Sequence, residues 1–258
     1  MKVAVIGLGV VGSAQVRMLE KHYEVVGYDK VSGLDYPAQE ISECEFAVIA
    51  VGTPAYQDGS INLDHVTEAV AQLPGLMPVL IRSTVIPGTC QWLADVHEGY
   101  VAHAPEFMHE RIGGPWKDTT DVPFLILGCD DPIGTEFFLG HLGALRLGIP
   151  IRTATTVVSE LVKYVANLHW ATQVTFVNEM AGIAKAAGAD WETVRAAWLE
   201  DERISAEYTS MAGYEPGFSG RCWPKDLGAL IAGAKELEYH PHFLEAVREA
   251  NRRFQGKS

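Results

Sequence analysis

The 258 residues are 48% hydrophobic with a mean hydropathy of +0.05, enough apolar side chain for one large core or two modest ones. A formal net charge of -13 and a pI near 5.1, with no block of Lys or Arg to offset them, exclude nucleic acid as a partner on charge; an anionic small molecule, which a few well-placed cations can hold, is left open. No apolar stretch is long enough to span a bilayer, and Cys44, Cys90, Cys129 and Cys222 form no C-x-x-C pair, which predicts reduced thiols in a cytoplasmic protein with no metal site.

Up to about Pro150, short β-branched runs alternate with amphipathic segments, the pattern of a doubly wound parallel sheet wrapped by helices. Strands are expected at residues 2–6, 24–28, 46–51, 79–82 and 124–127, and helices at 11–21, 63–73 and 88–96, with Asn62 as N-cap of the second helix. After a last extended run at 149–152 the pattern becomes helical. One long helix, roughly 156–187, is apolar on more than one face, and shorter ones follow at 191–199, 224–237 and 241–254. The expected fold is therefore α/β: a Rossmann-type domain over residues 1–152, then an all-helical domain over 153–258 with no flexible linker between them.

Gly7-Leu8-Gly9-Val10-Val11-Gly12 follows the first strand and opens the first helix, which is the context a G-x-G-x-x-G fingerprint requires. The first glycine permits the tight turn, the second lets backbone approach a pyrophosphate, and the third lets helix meet strand. Phosphates are expected at the helix N-terminus, where N–H groups and the helix dipole favour negative charge. Asp29, ending the second strand, stands where a carboxylate bonds the adenosine ribose and repels a 2′-phosphate, favouring NAD over NADP; Lys30 beside it works against that preference. FAD uses the same fingerprint.

The segment Gly213-Tyr214-Glu215-Pro216-Gly217-Phe218-Ser219-Gly220-Arg221-Cys222-Trp223-Pro224-Lys225-Asp226 carries the most chemistry. Pro224 suits the first turn of a helix, so Cys222 is expected just before a helix N-terminus with Arg221 and Lys225 beside it, features that stabilise a thiolate. Cys222 is the candidate nucleophile, while Cys44, Cys90 and Cys129 suit buried positions better. Lys163 and Asn167 lie four apart and share one side of the long helix.

The same segment resembles the G-P-G-F-G-G-S-C-F-P-K-D signature of the UDP-glucose/GDP-mannose dehydrogenase family. Further likenesses follow in order. Val51-Gly52-Thr53-Pro54 with Asp58-Gly59 is similar to V-P-T-P…D-G, and Arg82-Ser83-Thr84-Val85-Ile86-Pro87-Gly88-Thr89 to K-S-T-V-P-P-G-T. Pro105-Glu106-Phe107-Met108-His109-Glu110 resembles N-P-E-F-L-R-E, and Ser159-Glu160-Leu161-Val162-Lys163-Tyr164-Val165-Ala166-Asn167 resembles A-E-M-I-K-Y-A-A-N. The resemblance implies a four-electron, NAD-dependent oxidation of a nucleotide sugar at C6. Cys222 would carry the thiohemiacetal and thioester, and Lys163 and Asn167 would bind sugar and stabilise the oxyanion. Asp226 with Thr84 would position water and assist proton transfer, and Glu106 would be the acid near the thioester step. Gly52, Thr53, Pro54, Thr84 and Glu110 would lie at the cofactor, and Phe218 and Gly220 at the substrate. Arg203 would reach the substrate of a neighbouring subunit.

Departures from the family pattern qualify these expectations. The chain reads as the first two of the family's three domains, so a separate chain supplying the third is one possible partner. The stretch between Asp29 and Val51 is short enough for one βα unit of the sheet to be trimmed. Ser219, Arg221 and Trp223 stand where the signature has Gly, Ser and Phe, and Ala104 where the pattern has Asn. The apolar long helix predicts a two-fold homodimer. Two rival readings stay open: a single-hydride β-hydroxyacid-type dehydrogenase, and a non-catalytic NAD-binding subunit of a split enzyme.

Overall fold

The computed structural model describes residues 1–108, 118–145 and 148–256. They form two compact units: Met1–Pro54 with Ile61–Lys163, and Ala55–Ser60 with Tyr164–Ser258.

Among the described residues the first unit has seven strands: β1 (Lys2–Ile6), β2 (Glu24–Tyr28), β3 (Ala47–Ile49), β4 (Val79–Ile81), β5 (Val101–His103), β6 (Leu125–Cys129) and β7 (Ile151–Ala154). Their order in the sheet is β2-β1-β3-β4-β5-β6-β7. Alternate residues of β1 enter opposite cores: Ala4 and Ile6 pack with Val66, Val70 and Leu93, whereas Val3 and Val5 pack with Leu127, Phe138 and Leu142. Burial on both faces is why these strands read as unbroken apolar runs. Helices α1 (Val10–Leu19), α2 (Ala38–Ser42), α3 (Asp64–Ala71), α4 (Thr89–Val96) and α5 (Pro132–Leu145) belong to the same unit.

The chain leaves β1 to one side for β2 and returns on the other for β3, so the C-terminal ends of β1 and β3 flank the switch point at which such sheets bind ligands. Among the described residues no strand lies outside β2, where sheets of order 3-2-1-4-5-6 carry one, and only a 3-10 turn and the five-residue α2 join β2 to β3. This matches the short stretch after Asp29.

The sheet departs from the expected all-parallel form at one place. β6 runs antiparallel to β5, pairing His103 with Gly128, and carries β7 as its own parallel neighbour. Antiparallel neighbours need no crossover helix, and the described residues of the β5–β6 connection contain none. Three elements were not expected at all: the short α2, β5 and α5. β5 is three residues long, and α5 carries Gly134, Gly140 and Gly143, which blur its periodicity; packing holds it, with Phe138 and Leu142 buried. Leu63 rather than the expected Asn62 is the N-cap of α3; Asn62, one residue earlier, accepts the Asp64 N–H at 2.7 Å.

The division between the units falls inside α6 (Thr156–Ala186). The second unit adds α7 (Trp191–Trp198), α8 (Trp223–Glu236) and α9 (His242–Phe254), each within a residue of its expected bounds. Leu168 and Ala171 of α6 pack with Phe218, Leu227, Ile231 and Val247 in one core, and Val177 and Ala184 with Trp191 in another. Segment 55–60 belongs here because the missing Cβ of Gly228 on α8 leaves room for the Gly59 carbonyl, 3.1 Å from where that atom would sit. Among the described residues no helix is long and apolar enough to cross a membrane, and no group of three His, Cys, Asp or Glu could hold a metal.

Candidate functional site

In the first unit the fingerprint glycines divide their work as the motif requires. A Cβ on Gly12 would lie 1.7 Å from the Gly7 carbonyl oxygen, and one on Gly7, whose φ is +91°, would lie 2.8 Å from the Ala50 carbonyl. A Cβ on Gly9 would meet nothing within 4 Å, and Val10 at the head of α1 is 78% exposed, with Val11 half-buried behind it. The open backbone lies where a pyrophosphate would meet the N–H groups of α1, so the residues present fit a dinucleotide. Asp29 accepts the Leu8 N–H at 2.7 Å and the Val31 N–H at 3.0 Å, one bond per carboxylate oxygen, which leaves each oxygen a lone pair for a ribose hydroxyl. Lys30 pairs with Glu68 at 2.9 Å.

After β3, the Thr53 hydroxyl donates to the Thr84 carbonyl at 2.9 Å, tying two of the expected cofactor residues together and burying Thr53; Gly52 and Pro54 are exposed. Beyond β4, Arg82 and Glu106 form a buried ion pair at 2.5 Å, with side chains 3% and 7% exposed. Arg82 Nη1 also donates to the Ala104 carbonyl at 2.6 Å. Burial raises the Glu106 carboxyl, but the Arg82 guanidinium, the Thr119 hydroxyl and the Phe107 N–H outweigh it and leave the group below the usual carboxylate range. Its side chain is thus committed within the protein. Its main-chain carbonyl instead accepts from Lys163 Nζ at 2.5 Å, and the Phe107 ring centroid lies 5.4 Å from the same ammonium. Glu110 lies outside the described residues.

Sequence reasoning gave no role to two buried groups nearby. Glu160 of α6 accepts the Gly88 and Cys90 N–H groups at 2.6 and 2.8 Å, capping α4, and burial raises its carboxyl. His103 is 1% exposed, its Nδ1 2.8 Å from the Ser159 hydroxyl, and burial, then the Arg82 guanidinium, lower its pKa from 6.5 to about 3. The unfolded chain takes up this proton below pH 6.5 while the folded chain does not until about pH 3, so stability is lost as the pH is lowered through that window, by about 1.4 kcal/mol per unit. Glu160, being raised, acts in the opposite sense, so the informative comparison is with His103→Asn. Urea melts at pH 6.5 and 5 should show the parent losing about 2 kcal/mol more than the variant. Equal losses would mean that His103 is not held neutral.

In the second unit Cys222 is the N-cap of α8, with Pro224 in the first turn as expected, and the Asp226 N–H donates to its carbonyl at 2.8 Å. Of the four cysteines, all among the described residues, Cys222 is the exposed one; burial raises the thiols of Cys44, Cys90 and Cys129. Asp226 is 1% exposed and joins Asn167 Nδ2 at 2.5 Å to Lys225 Nζ at 2.7 Å, so two expected site residues meet directly. Lys225 therefore spends its charge on Asp226. Phe218 buries its ring in the core, and its N–H and carbonyl are both bracketed by Asn251, at 2.7 and 3.0 Å; Gln255 adds a second bond to the carbonyl at 2.7 Å. The Gly217 N–H goes to Asn178 at 2.9 Å. These amides anchor the loop leading to Cys222, and no local motif announced them. Gly220, at φ +89°, is exposed, and Arg203 forms a two-point pair with Asp201 in its own loop, its side chain 87% exposed.

Residues 34–137 match the NAD binding domain, and residues 157–253 the central domain, of the UDP-glucose/GDP-mannose dehydrogenase family. The chain belongs to that family. The UDP-glucose 6-dehydrogenase of Pseudomonas aeruginosa is 33% identical over 239 residues, covering 84% of this chain and 50% of that protein. A GDP-mannose 6-dehydrogenase of Pseudomonas syringae is 26% identical over 303 residues, covering 97% of this chain and 68% of that one. The structure of a UDP-glucose dehydrogenase from Pyrobaculum islandicum superimposes with a TM-score of 0.84 at 27% identity, over 98% of this chain and 68% of that one. The chain thus spans about half the length of most of its curated relatives. Within this UDP-glucose/GDP-mannose dehydrogenase member, Arg82 and Ala104 stand where the family pattern has Lys and Asn, and they are joined to each other by a hydrogen bond.

Proposed function

We propose that the chain oxidises the C6 primary alcohol of a nucleotide sugar, of the UDP-glucose type, to the carboxylate through a thiohemiacetal and a thioester on Cys222. The observation that carries this reading is the exposed Cys222 at the head of α8, one turn before a buried Asp226 held by Asn167. NAD, bound at the glycine loop, supplies the acceptor for each hydride. Lys163 and Asn167, a cation and an amide donor one turn apart on α6, stabilise negative charge on the C6 oxygen. As the alcohol loses a hydride and a proton it becomes an aldehyde; the Cys222 thiolate then adds to C6, giving a thiohemiacetal whose loss of a second hydride leaves a thioester. Water, positioned by Asp226 with Thr84, displaces the thiolate, so one alcohol, two NAD and one water give one carboxylate, two NADH and three protons.

In this reading Glu106 serves through its carbonyl on Lys163, because its carboxylate is engaged by Arg82. Phe218 and Gly220 shape the substrate loop, Arg203 reaches a neighbouring subunit's substrate, and Gly52, Thr53 and Pro54 border the cofactor. The cofactor domain extends over residues 1–152 and the helical domain over 153–258. A cytoplasmic setting suits the reduced thiol. Val158, Leu161, Val165, Phe176 and Ile183 of α6 are exposed, from 38% to 66%, and a second copy covering them is the expected homodimer. A parent chain that sediments as a monomer would end the dimer reading, and native mass spectrometry would reveal any separate chain supplying a third domain.

The deciding experiment counts NADH per sugar consumed, with UDP-glucose first among a panel of nucleotide sugars. Two NADH per sugar is expected. One would move the assignment to the single-hydride reading, and none, with NAD binding intact, to a non-catalytic subunit.

A further inference from the structure

Arg82 follows β4 and is the hub of a buried polar cluster in the first unit. Its guanidinium makes three bonds in different directions: to the Ala104 carbonyl at 2.6 Å, to Glu106 Oε2 at 2.5 Å and to the Thr119 hydroxyl at 3.2 Å. Glu106 Oε1 turns back to accept the Phe107 and Met108 N–H groups at 2.8 and 3.0 Å. Gln15, on the dinucleotide helix α1 and 1% exposed, completes the cluster by donating to Thr119 at 3.1 Å. Segment 104–108 is therefore fixed from within, at its start through a main-chain carbonyl and at its middle through a carboxylate. What this fixed segment offers outward is the Glu106 carbonyl and the Phe107 ring, and both meet Lys163 Nζ.

We propose that Arg82 is a positioning residue for Lys163: its guanidinium fork fixes the segment whose carbonyl and aromatic ring hold the Lys163 ammonium in one place. A lysine side chain left to itself samples many rotamers, and a cation that must meet developing negative charge is effective only if it is oriented beforehand. The planar fork of arginine reaches three acceptors at fixed angles, which the point charge of a lysine in its place does not. The functional consequence rests on the reading of Lys163 given above; the geometric claim does not.

The test uses the full chain carrying Arg82→Lys, which keeps the buried positive charge opposite Glu106. Brief treatment with acetic anhydride, followed by peptide mass spectrometry, reads the acylation rate of Lys163 against Lys30 and Lys185 in the same molecules. Lys163 should react about threefold faster or more in the variant, with the two reference lysines unchanged, because an amine no longer held against a carbonyl and a ring is freer to meet the reagent. Unchanged Lys163 reactivity in a folded variant overturns the proposal. Should Arg82→Lys not fold, Arg82→Met combined with Glu106→Met removes both charges while keeping the Glu106-position carbonyl, and the same readout decides. In turnover, Arg82→Lys should lower kcat by about tenfold with the KM for NAD changed less than twofold, the pattern of a misplaced group rather than a weakened cofactor site. A Lys163→Met chain that turned over normally would remove the role of Lys163 in the reaction, and the acylation result would still decide the role of Arg82.

Discussion

A Cys222→Ser chain should bind NAD as the parent does and lose at least about a thousandfold in NADH production from the nucleotide sugar, roughly 4 kcal/mol of transition-state stabilisation. The size of the effect follows from the chemistry assigned to sulfur. A thiol at the head of a helix is ionised far more readily than a serine hydroxyl, adds readily to an aldehyde, and leaves again when water attacks the thioester. An oxygen in its place is a poorer nucleophile and forms an ester that is slower to hydrolyse. The first hydride can still leave without it, so hydroxylamine should trap an aldehyde from the variant and not from the parent. Serine variants at Cys44, Cys90 and Cys129 provide the comparison, since burial raises those thiols and none should change the NADH yield per sugar. A Cys222→Ser chain that kept its rate within tenfold would mean that no covalent step is needed, and the single-hydride reading would replace the one proposed here.

The parts of the protein that could be read in advance are those in which neighbouring residues decide the outcome. β1 and β2 have the expected bounds because each is a short apolar run closed by a glycine or a charge, and α8 begins a residue from the expected place because Pro224 can only lie in a first turn. The nearness of Asn167 to Asp226 was not in the spacing, but each residue was singled out by its own motif. Hidden features depend on partners far along the chain. β5 is strand because Val101, Ala102 and His103 are gripped by β4 on one side and β6 on the other, not because three residues announce a strand. The antiparallel turn into β6 depends on a connection with no helical pattern to count. The bond from Arg82 to Glu106 was hidden because the two lie 24 positions apart, and the hold of Asn251 on Phe218 because they lie 33 apart. A buried polar network of this kind is satisfied only in three dimensions, and spacing along a chain carries little trace of it.

The glycine fingerprint yields the sharpest separation of structure from binding, because its members differ in what a methyl group would meet. In Gly12→Ala the new Cβ would lie 1.7 Å from the Gly7 carbonyl oxygen and 2.8 Å from its carbon, so backbone must move from backbone and α1 must be displaced from the turn after β1. A cost of about 3 kcal/mol or more is expected, well above the gain of about 1 kcal/mol from replacing glycine by alanine within a helix. Melting should fall by roughly 6 °C or more, and NAD affinity by at least about a hundredfold, since the N–H groups that face the pyrophosphate shift with the helix. Gly9→Ala has open space for its methyl group, so its melting temperature should stay within about 1 °C of the parent. Its NAD affinity should nevertheless fall by about thirtyfold or more, because that space is where phosphate approaches backbone. The two variants divide the possible outcomes. Gly12→Ala with unchanged melting would mean that α1 does not meet the β1 turn as described, whereas Gly9→Ala with unchanged NAD affinity would mean that the dinucleotide does not use this loop.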